Sequence, residues 1–477
     1  MVVRMSHDLG LDRRRAAIAG AHDITPVNVV VVVVGNHGGT AAAVVVVVVL
    51  IVAQLFTTYI SITPGVPTTR LKQSLKEKDG TVVTFKGSME KCPLEVVLEV
   101  HNPDQFYWKL MTEADLGFAD AFIHGDVSFQ DNDKGLINYL LIFVANKKSS
   151  SSISLMNENR IWLTSAKYLF KHILRRNTLT QARRNIARHY DLSNELFESF
   201  MDETMTYSCA VFKTEDEDLK VAQQRKLTAL IEKARISKEH EVLELGCGWG
   251  SLAIEAVKRT GCKYTGITLS EEQLKYAEAK AKKAGLQDKI KFLLLDYRKL
   301  PKTFKYDRII CCEMTEHVGN AYLEEFYRCV ESILAEDGLF VLQFISITEE
   351  LFHEVLRTSE FLKEYIFPGG CLASLTRMLS AMAAGSRLSV EHVENIGTYN
   401  YAQTLRCWRK NFLQNKSKIL ALGFNENFLR TWEYYFCYCV VCFKSGIGKD
   451  YQVVFSRQGN FAALGDPYQG FPSAFSC

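Results

Sequence analysis

From Ser237 onward, short apolar runs alternate with longer stretches of three-to-four spacing. Val242–Leu245, Lys263–Ile267, Lys291–Leu295, Arg308–Cys312 and Leu339–Ile345 are rich in aliphatic and β-branched residues and predict buried strands. Leu388–Ile396 and Tyr451–Ser456 add two more. Between them, Leu252–Lys258, Glu271–Ala284 and Ala321–Leu334 predict helices. Ahead of the first strand, Leu227, Leu230, Ile231 and Ala234 fall at i, i+3, i+4 and i+7, a core-facing helical stripe. Seven strands in βα alternation predict an α/β, doubly wound open sheet. Such sheets bind ligands outside the carboxyl ends of their strands. That rule places Gly246–Gly250, Thr268, Asp296–Tyr297, Glu313–Glu316 and Gln343 along one rim.

The first part of the chain is patterned differently. Residues 1–71 form a valine-rich leader with six-valine runs at Val29–Val34 and Val44–Val49. Ala41–Ile62 carries no charge and is long enough to cross a bilayer. Arg70, Lys72, Lys76 and Lys78 follow it, which places the bulk of the chain in the cytosol, associated with the membrane, if that segment spans. A low-complexity leader without a span is the alternative. Lys72–Asp79 reads as a solvated charged linker. "TVVTFKG", "LEVVLEVHN" and "FYWKLM" read as strands and "GLINYLLIFVANKK" as an amphipathic helix, together a small α+β domain over 80–150. The serine-rich "NKKSSSSISLMNENR" predicts a domain boundary, with a second domain over 160–477. Ile161–Arg184 is basic and apolar, open between a solvated helix face and contact with anionic lipid head groups.

Composition narrows the classes. The 477 residues are 47% hydrophobic and 23% charged, a globular chain with an ample core. A net charge of +3 is too small to argue for nucleic acid. Thirteen cysteines lack paired C-x-x-C spacing and suit a reducing compartment. No zinc pattern appears, and no metal is expected.

"VLELGCGWGS" (Val242–Ser251) joins a buried strand to a helix through three alternating glycines. Glycine permits positive φ and close backbone approach, and the helix start offers free N–H groups. A dinucleotide turn would read G-x-G-x-x-G with an acid about 20 residues on. Here Ser251 takes the third glycine's slot and Thr268 the acid's, so nicotinamide binding is disfavoured. With Glu244 the turn reads E-x-G-x-G-x-G, which resembles the first motif of class I S-adenosylmethionine methyltransferases. "RHYDLSNELFESFMDETMTYSCAVF" (Arg188–Phe212), "CEMTEHVG" (Cys312–Gly319), "YIFPGG" (Tyr365–Gly370) and "YAQTLRCWRKNF" (Tyr401–Phe412) then follow in order. In that order they resemble cyclopropane-fatty-acyl-phospholipid synthases and the related mycolic acid cyclopropane synthases, from Thr81 to Phe461. "TQARRNI", "GITLSEEQLKYAE", "FVLQFIS" and "QVVFSR" are similar to the plant members.

The resemblance implies the seven-stranded class I methyltransferase fold with a smaller N-terminal domain facing lipid. It implies transfer of a methylene group from S-adenosylmethionine to a cis double bond of phospholipid acyl chains, at the membrane surface. Tyr207, Ser208, Glu244, Gly246, Gly248, Gly250, Thr268, Gln273, Asp296 and Tyr297 would contact the cofactor. An alkene has no lone pair and attacks only a strong electrophile, here a sulfonium methyl. The resulting carbocation needs aromatic faces, dryness and a base that removes a proton from the new methyl. By resemblance that base is a bound bicarbonate held by Cys209, Glu316 and Tyr401, with Gln343 where bacterial relatives carry histidine. Glutamine still donates through its amide but carries no charge. Arg188 and His189 stay open between lid contacts and plain surface, and the choice between monomer and homodimer stays open too. Two rival functions remain: N-methylation of a small amine, which would not need Thr81–Asn146, and a non-catalytic lipid-binding protein, which would not need the intact site residues.

Overall fold

The computed structural model describes residues 72–77, 82–86, 94–146, 177–357, 361–466 and 468–476. The chain divides into two compact units, Met1–Leu155 and Met156–Cys477. The leader over 1–71 and most of the basic segment Ile161–Arg184 lie outside the described residues.

In the first unit, β1 (Lys72–Glu77), β2 (Val82–Lys86), β3 (Glu95–Val100) and β4 (Val127–Phe129) form one sheet in the order β2-β1-β3-β4. Two helices join it, α1 (Pro103–Ile123) and α2 (Gly135–Asn146). Two expectations change here. Lys72–Glu77 is an inner strand rather than a solvated linker: Leu75 is buried, Lys76 is exposed, and β1 pairs with β2 on one side and β3 on the other. Period-two burial needs only one apolar face, so a run of charges does not exclude a strand. "FYWKLM" is helix, not strand. A strand would put Phe106 and Trp108 on one face, yet Phe106 is fully buried and Trp108 is 66% exposed. Pro103 at the first helical position and Asp104 in the first turn start α1. The core is aromatic, with Phe118 stacked on Tyr139 at 4.4 Å.

The second unit carries the expected α/β sheet. Its strands are β5 (Glu241–Leu245), β6 (Lys263–Thr268), β7 (Ile290–Leu294), β8 (Tyr306–Cys312), β9 (Leu334–Ile347), β10 (Leu388–Asn395) and β11 (Gly448–Arg457). They lie in the order β10-β11-β9-β8-β5-β6-β7. β11 runs antiparallel to both neighbours, while β9, β8, β5, β6 and β7 are parallel. The chain winds outward from β5 through β6 to β7, then returns to β8 on the other side of β5. The crevice between the ends of β5 and β8 is therefore the switch point.

Helices cover both faces, which is why "RIICC" and "FVLQF" are apolar on both sides. On one face, α3 (Leu219–Lys233), α4 (Ser251–Thr260) and α5 (Glu271–Lys283) bury Leu227, Leu230, Ile254 and Ala277. On the other, α6 (Leu323–Ile333) and α7 (Leu375–Gly385) bury Phe326, Tyr327 and Met378. Two later helices, α8 (Gly397–Gln414) and α9 (Glu426–Lys444), complete the rim, and α10 (Leu179–Tyr190) precedes the sheet in sequence.

Among the described residues, no helix is long and apolar enough to cross a membrane. This corrects the expected transmembrane segment with its cytosolic catalytic domain. The apolar helix α2 has 12 residues, against about 20 needed to span. The proposed span, 41–62, lies outside the described residues.

One close approach sets the position of α8. A Cβ at Gly397 would sit 2.2 Å from the backbone nitrogen of Asp450 on β11. Gly397→Ala is expected to cost about 1–3 kcal/mol by overpacking and to lower the unfolding midpoint followed by circular dichroism. A variant as stable as the wild type would remove this constraint.

Candidate active site

The turn after β5 is left-handed three times, at Gly246 (φ 80°), Gly248 (φ 51°) and Gly250 (φ 82°). At Gly246 a side chain is excluded sterically as well: a Cβ would lie 2.8 Å from that of Met314. The turn leaves a cavity at the switch point, and Tyr207, Ser208, Glu244, Gly246, Gly248, Thr268, Gln273, Asp296 and Tyr297 all line it. Of the ten residues expected at the cofactor, Gly250 alone stands behind the wall, capping α4.

The wall is held by its own hydrogen bonds. The Tyr264 hydroxyl donates to Glu244 at 3.1 Å, and burial pushes the Glu244 carboxyl up to about 8. Thr268 donates to the Gln273 side-chain oxygen at 2.7 Å. Asp296 accepts from Arg298 at both oxygens, at 2.8 and 2.7 Å. Ser208 accepts from the buried ammonium of Lys226 at 2.5 Å, and the Tyr207 and Tyr435 hydroxyls lie 2.9 Å apart. A left-handed glycine turn, a carboxyl at the end of β5, and polar and aromatic groups beyond β6 and β7 fit a nucleoside carrying an aminoacyl sulfonium.

Aromatic rings line and back the same cavity. Tyr190 and Tyr207 line it, and His189 stacks on Trp432 at 5.7 Å and on Tyr207 at 5.9 Å. His189 is 3% exposed, which removes the surface reading, while the Arg188 side chain lies outside the described residues. Burial, with the His317 ring adding to it, pushes His189 down to about 3, and burial pushes His317 down to about 4. Both rings are therefore neutral near pH 7. They offer π faces without a charge that would repel a cation.

The expected catalytic residues converge, but on a residue the sequence reading did not single out. Glu313 follows β8 directly, at φ 50°. Its Oε1 accepts from the Cys209 backbone N–H at 2.8 Å and from Gln343 Nε2 at 2.7 Å. Its Oε2 accepts from the Tyr401 hydroxyl at 2.6 Å. Glu316 instead accepts from the Ile345 N–H at 2.6 Å, and its Oε2 has no hydrogen-bond partner among the described residues. Asp450 is fully buried and accepts from Gln343 Nε2 at 2.9 Å. Burial raises all three carboxyls; nearby charge adds to Glu316 and Asp450, while hydrogen bonds and Lys226 partly offset the rise at Glu313.

This geometry does not fit bicarbonate. The donors expected to hold it already serve Glu313, and a second anion would meet three buried carboxyls. Lys226 and Asp450 were missed, and Glu313 was placed on the rim without a role. For Glu313 the available signal was an acid placed directly after the apolar run Ile309–Cys312, where burial demands partners.

Glu316 supplies a pH test. Its carboxyl ordinarily titrates near 4.5; in the fold, burial and then Glu313 push it up to about 8. Between those values the folded chain keeps a proton that the unfolded chain has lost, so stability falls as pH rises. Glu316→Gln removes that loss. Its unfolding midpoint, measured against wild type, is expected to gain steadily from about pH 5 to about pH 8. A difference independent of pH would contradict this.

Residues 177–453 match the family model for mycolic acid cyclopropane synthetase. Tuberculostearic acid methyltransferase of Mycobacterium tuberculosis is 32% identical over 82% of this chain and 89% of its own length. Cyclopropane-fatty-acyl-phospholipid synthase of Escherichia coli is 31% identical over 76% of this chain and 87% of its own. A solved mycolic acid cyclopropane synthase, complexed with SAH and CTAB, superposes with a TM-score of 0.54 at 27% identity, covering 58% of this chain and 98% of that one. With a seven-stranded sheet, a glycine turn at its switch point and these matches, the chain belongs to the mycolic acid cyclopropane synthetase family.

Proposed function

We propose that the protein is an S-adenosylmethionine-dependent methyltransferase that acts on the cis double bond of phospholipid acyl chains and closes a cyclopropane ring. The observation that carries this reading is a desolvated carboxyl cluster beside an aromatic-walled cofactor cavity. Bound S-adenosylmethionine supplies an electrophilic methyl group. Every other requirement falls on the chain. Glu244, Thr268 and Gln273 orient the cofactor, and the rings of Tyr190 and Tyr207 face the positive charge that develops on the acyl carbon. Burial keeps water from capturing that cation. A carboxyl in the Glu313–Glu316–Asp450 cluster then takes the proton whose loss permits ring closure.

The relatives support lipid substrates in general. One is named a cyclopropane-fatty-acyl-phospholipid synthase and another a tuberculostearic acid methyltransferase. A small amine would not need the dry carboxyl cluster, so the acyl reading is preferred.

Expression in a bacterium lacking its own synthase tests the proposal. Ring-bearing fatty acids are expected by mass spectrometry, and unchanged lipids with folded protein present would reject it. Methyl-branched products would retain methyl transfer and reject ring closure. Glu316→Gln is expected to lower turnover, because it changes the charge balance of the carboxyl cluster that takes the proton. Cofactor affinity, read by titration calorimetry, should hold. Equal loss of both would make Glu316 a folding residue instead.

A further inference from the structure

We infer that Glu313 is itself the proton acceptor of ring closure, a built-in carboxylate that removes the need for any external anion. The inference rests on the acyl-chain reading above.

Three observations carry it. The first is position: Glu313 lines the cofactor cavity, and Glu316 and Asp450 do not. The second is the set of partners. Cys209 N–H, Gln343 Nε2 and the Tyr401 hydroxyl all donate, at 2.8, 2.7 and 2.6 Å. A carboxylate only accepts, so three convergent donors suit its ionised form.

The direction of the Gln343 amide is itself fixed. Lys233 can only donate, and it does so to the side-chain oxygen of Gln452 at 2.5 Å. Gln452 must then present its NH2 to the Gln343 oxygen, at 2.9 Å. The Gln343 NH2 is left facing Glu313 and Asp450.

The third observation is backbone strain. Glu313 holds φ at 50°, in the left-handed region that glycine adopts freely and a glutamate does not. Such strain persists only where the surroundings enforce it. Glycine would be the easier residue here, so the carboxylate is present for its side chain.

The step balances within the substrate and Glu313. A C–H bond of the transferred methyl breaks, and its electron pair forms the last ring bond on the cationic carbon. The proton moves to a Glu313 oxygen, and the resulting neutral acid later loses it to solvent. Glu313 is suited to accept because burial disfavours its charged form, while its donors keep it ionised until the proton arrives.

The test uses the purified full chain, vesicles of a cis-monounsaturated phospholipid and buffer stripped of carbon dioxide. Wild type is expected to make product at the same rate with and without added bicarbonate. Glu313→Gln should lose about a hundredfold in kcat with KM and cofactor affinity retained. Glu313→Gly, relaxed in its backbone, vacates the anion position. It should be inactive in stripped buffer and recover roughly tenfold or more with bicarbonate or formate, since the three donors then hold the added anion. Binding is read separately, by carbon-13 NMR of labelled bicarbonate. Glu313→Gly should bind it and wild type should not.

Dependence of wild type on bicarbonate, full activity of Glu313→Gln, or equal bicarbonate binding by wild type and Glu313→Gly would each overturn the inference. Wild type that makes no lipid product in either buffer would reject the acyl reading instead, and the binding comparison would still decide the anion site.

Discussion

A buried carboxylate survives only where donors replace the water it has lost, and the architecture of this rim follows from that need. Three carboxyls, Glu313, Glu316 and Asp450, are buried close together, with Lys226 the cation whose charge acts on Glu313 and Asp450. Their mutual repulsion and desolvation are costly, and the cost is met by directed hydrogen bonds rather than by a matching set of charges. The donor-only ammonium of Lys233 begins the order, and two glutamine amides pass it inward to Glu313. Gln343 spends both amide hydrogens and its carbonyl in this way, so it is fully satisfied at 0% exposure.

The donors come from elements far apart in sequence. Cys209 lies ahead of α3, Gln343 on β9 and Tyr401 on α8, while the acceptor follows β8. What unites them is the sheet. β9 lies between β8 and the antiparallel β11, so Gln343 has Cys312 as register neighbour on one side and Gln452 on the other. The helix bearing Tyr401 reaches the rim because Gly397 lets its first turn pass against Asp450. The Tyr401 ring then stacks flat on Phe443 of α9 at 4.1 Å, which fixes the direction of its hydroxyl.

The same desolvation governs the cofactor side. Burial holds His189 and His317 neutral and raises Glu244, so the cavity presents π faces and acceptors without a dense fixed charge. Excluding water in this way strengthens every electrostatic interaction inside the cavity.

Much of the fold was legible from residue order. The inner strands of the large sheet follow from largely apolar runs between helical spacings, because strands covered on both faces bury both sets of side chains. "LELGCGWGS" located the cofactor cavity for a similar reason: only glycine tolerates the left-handed turn and the contact with Met314. Local pattern misled where one face suffices or two periods compete, as in Lys72–Glu77, a strand despite its charges, and Phe106–Met111, a helix despite its aromatic run. The span expected at residues 41–62 lies outside the described residues, among which no helix is long and apolar enough to cross a membrane. The centre of the candidate site was not legible. The end of β8 brings both Glu313 and Glu316 of "CEMTEHVG" to the rim without assigning partners to either. Which acid meets three donors depends on the register of β9 and β11 and on the reach of α8, and pairings between distant segments exist only once the chain has closed on itself.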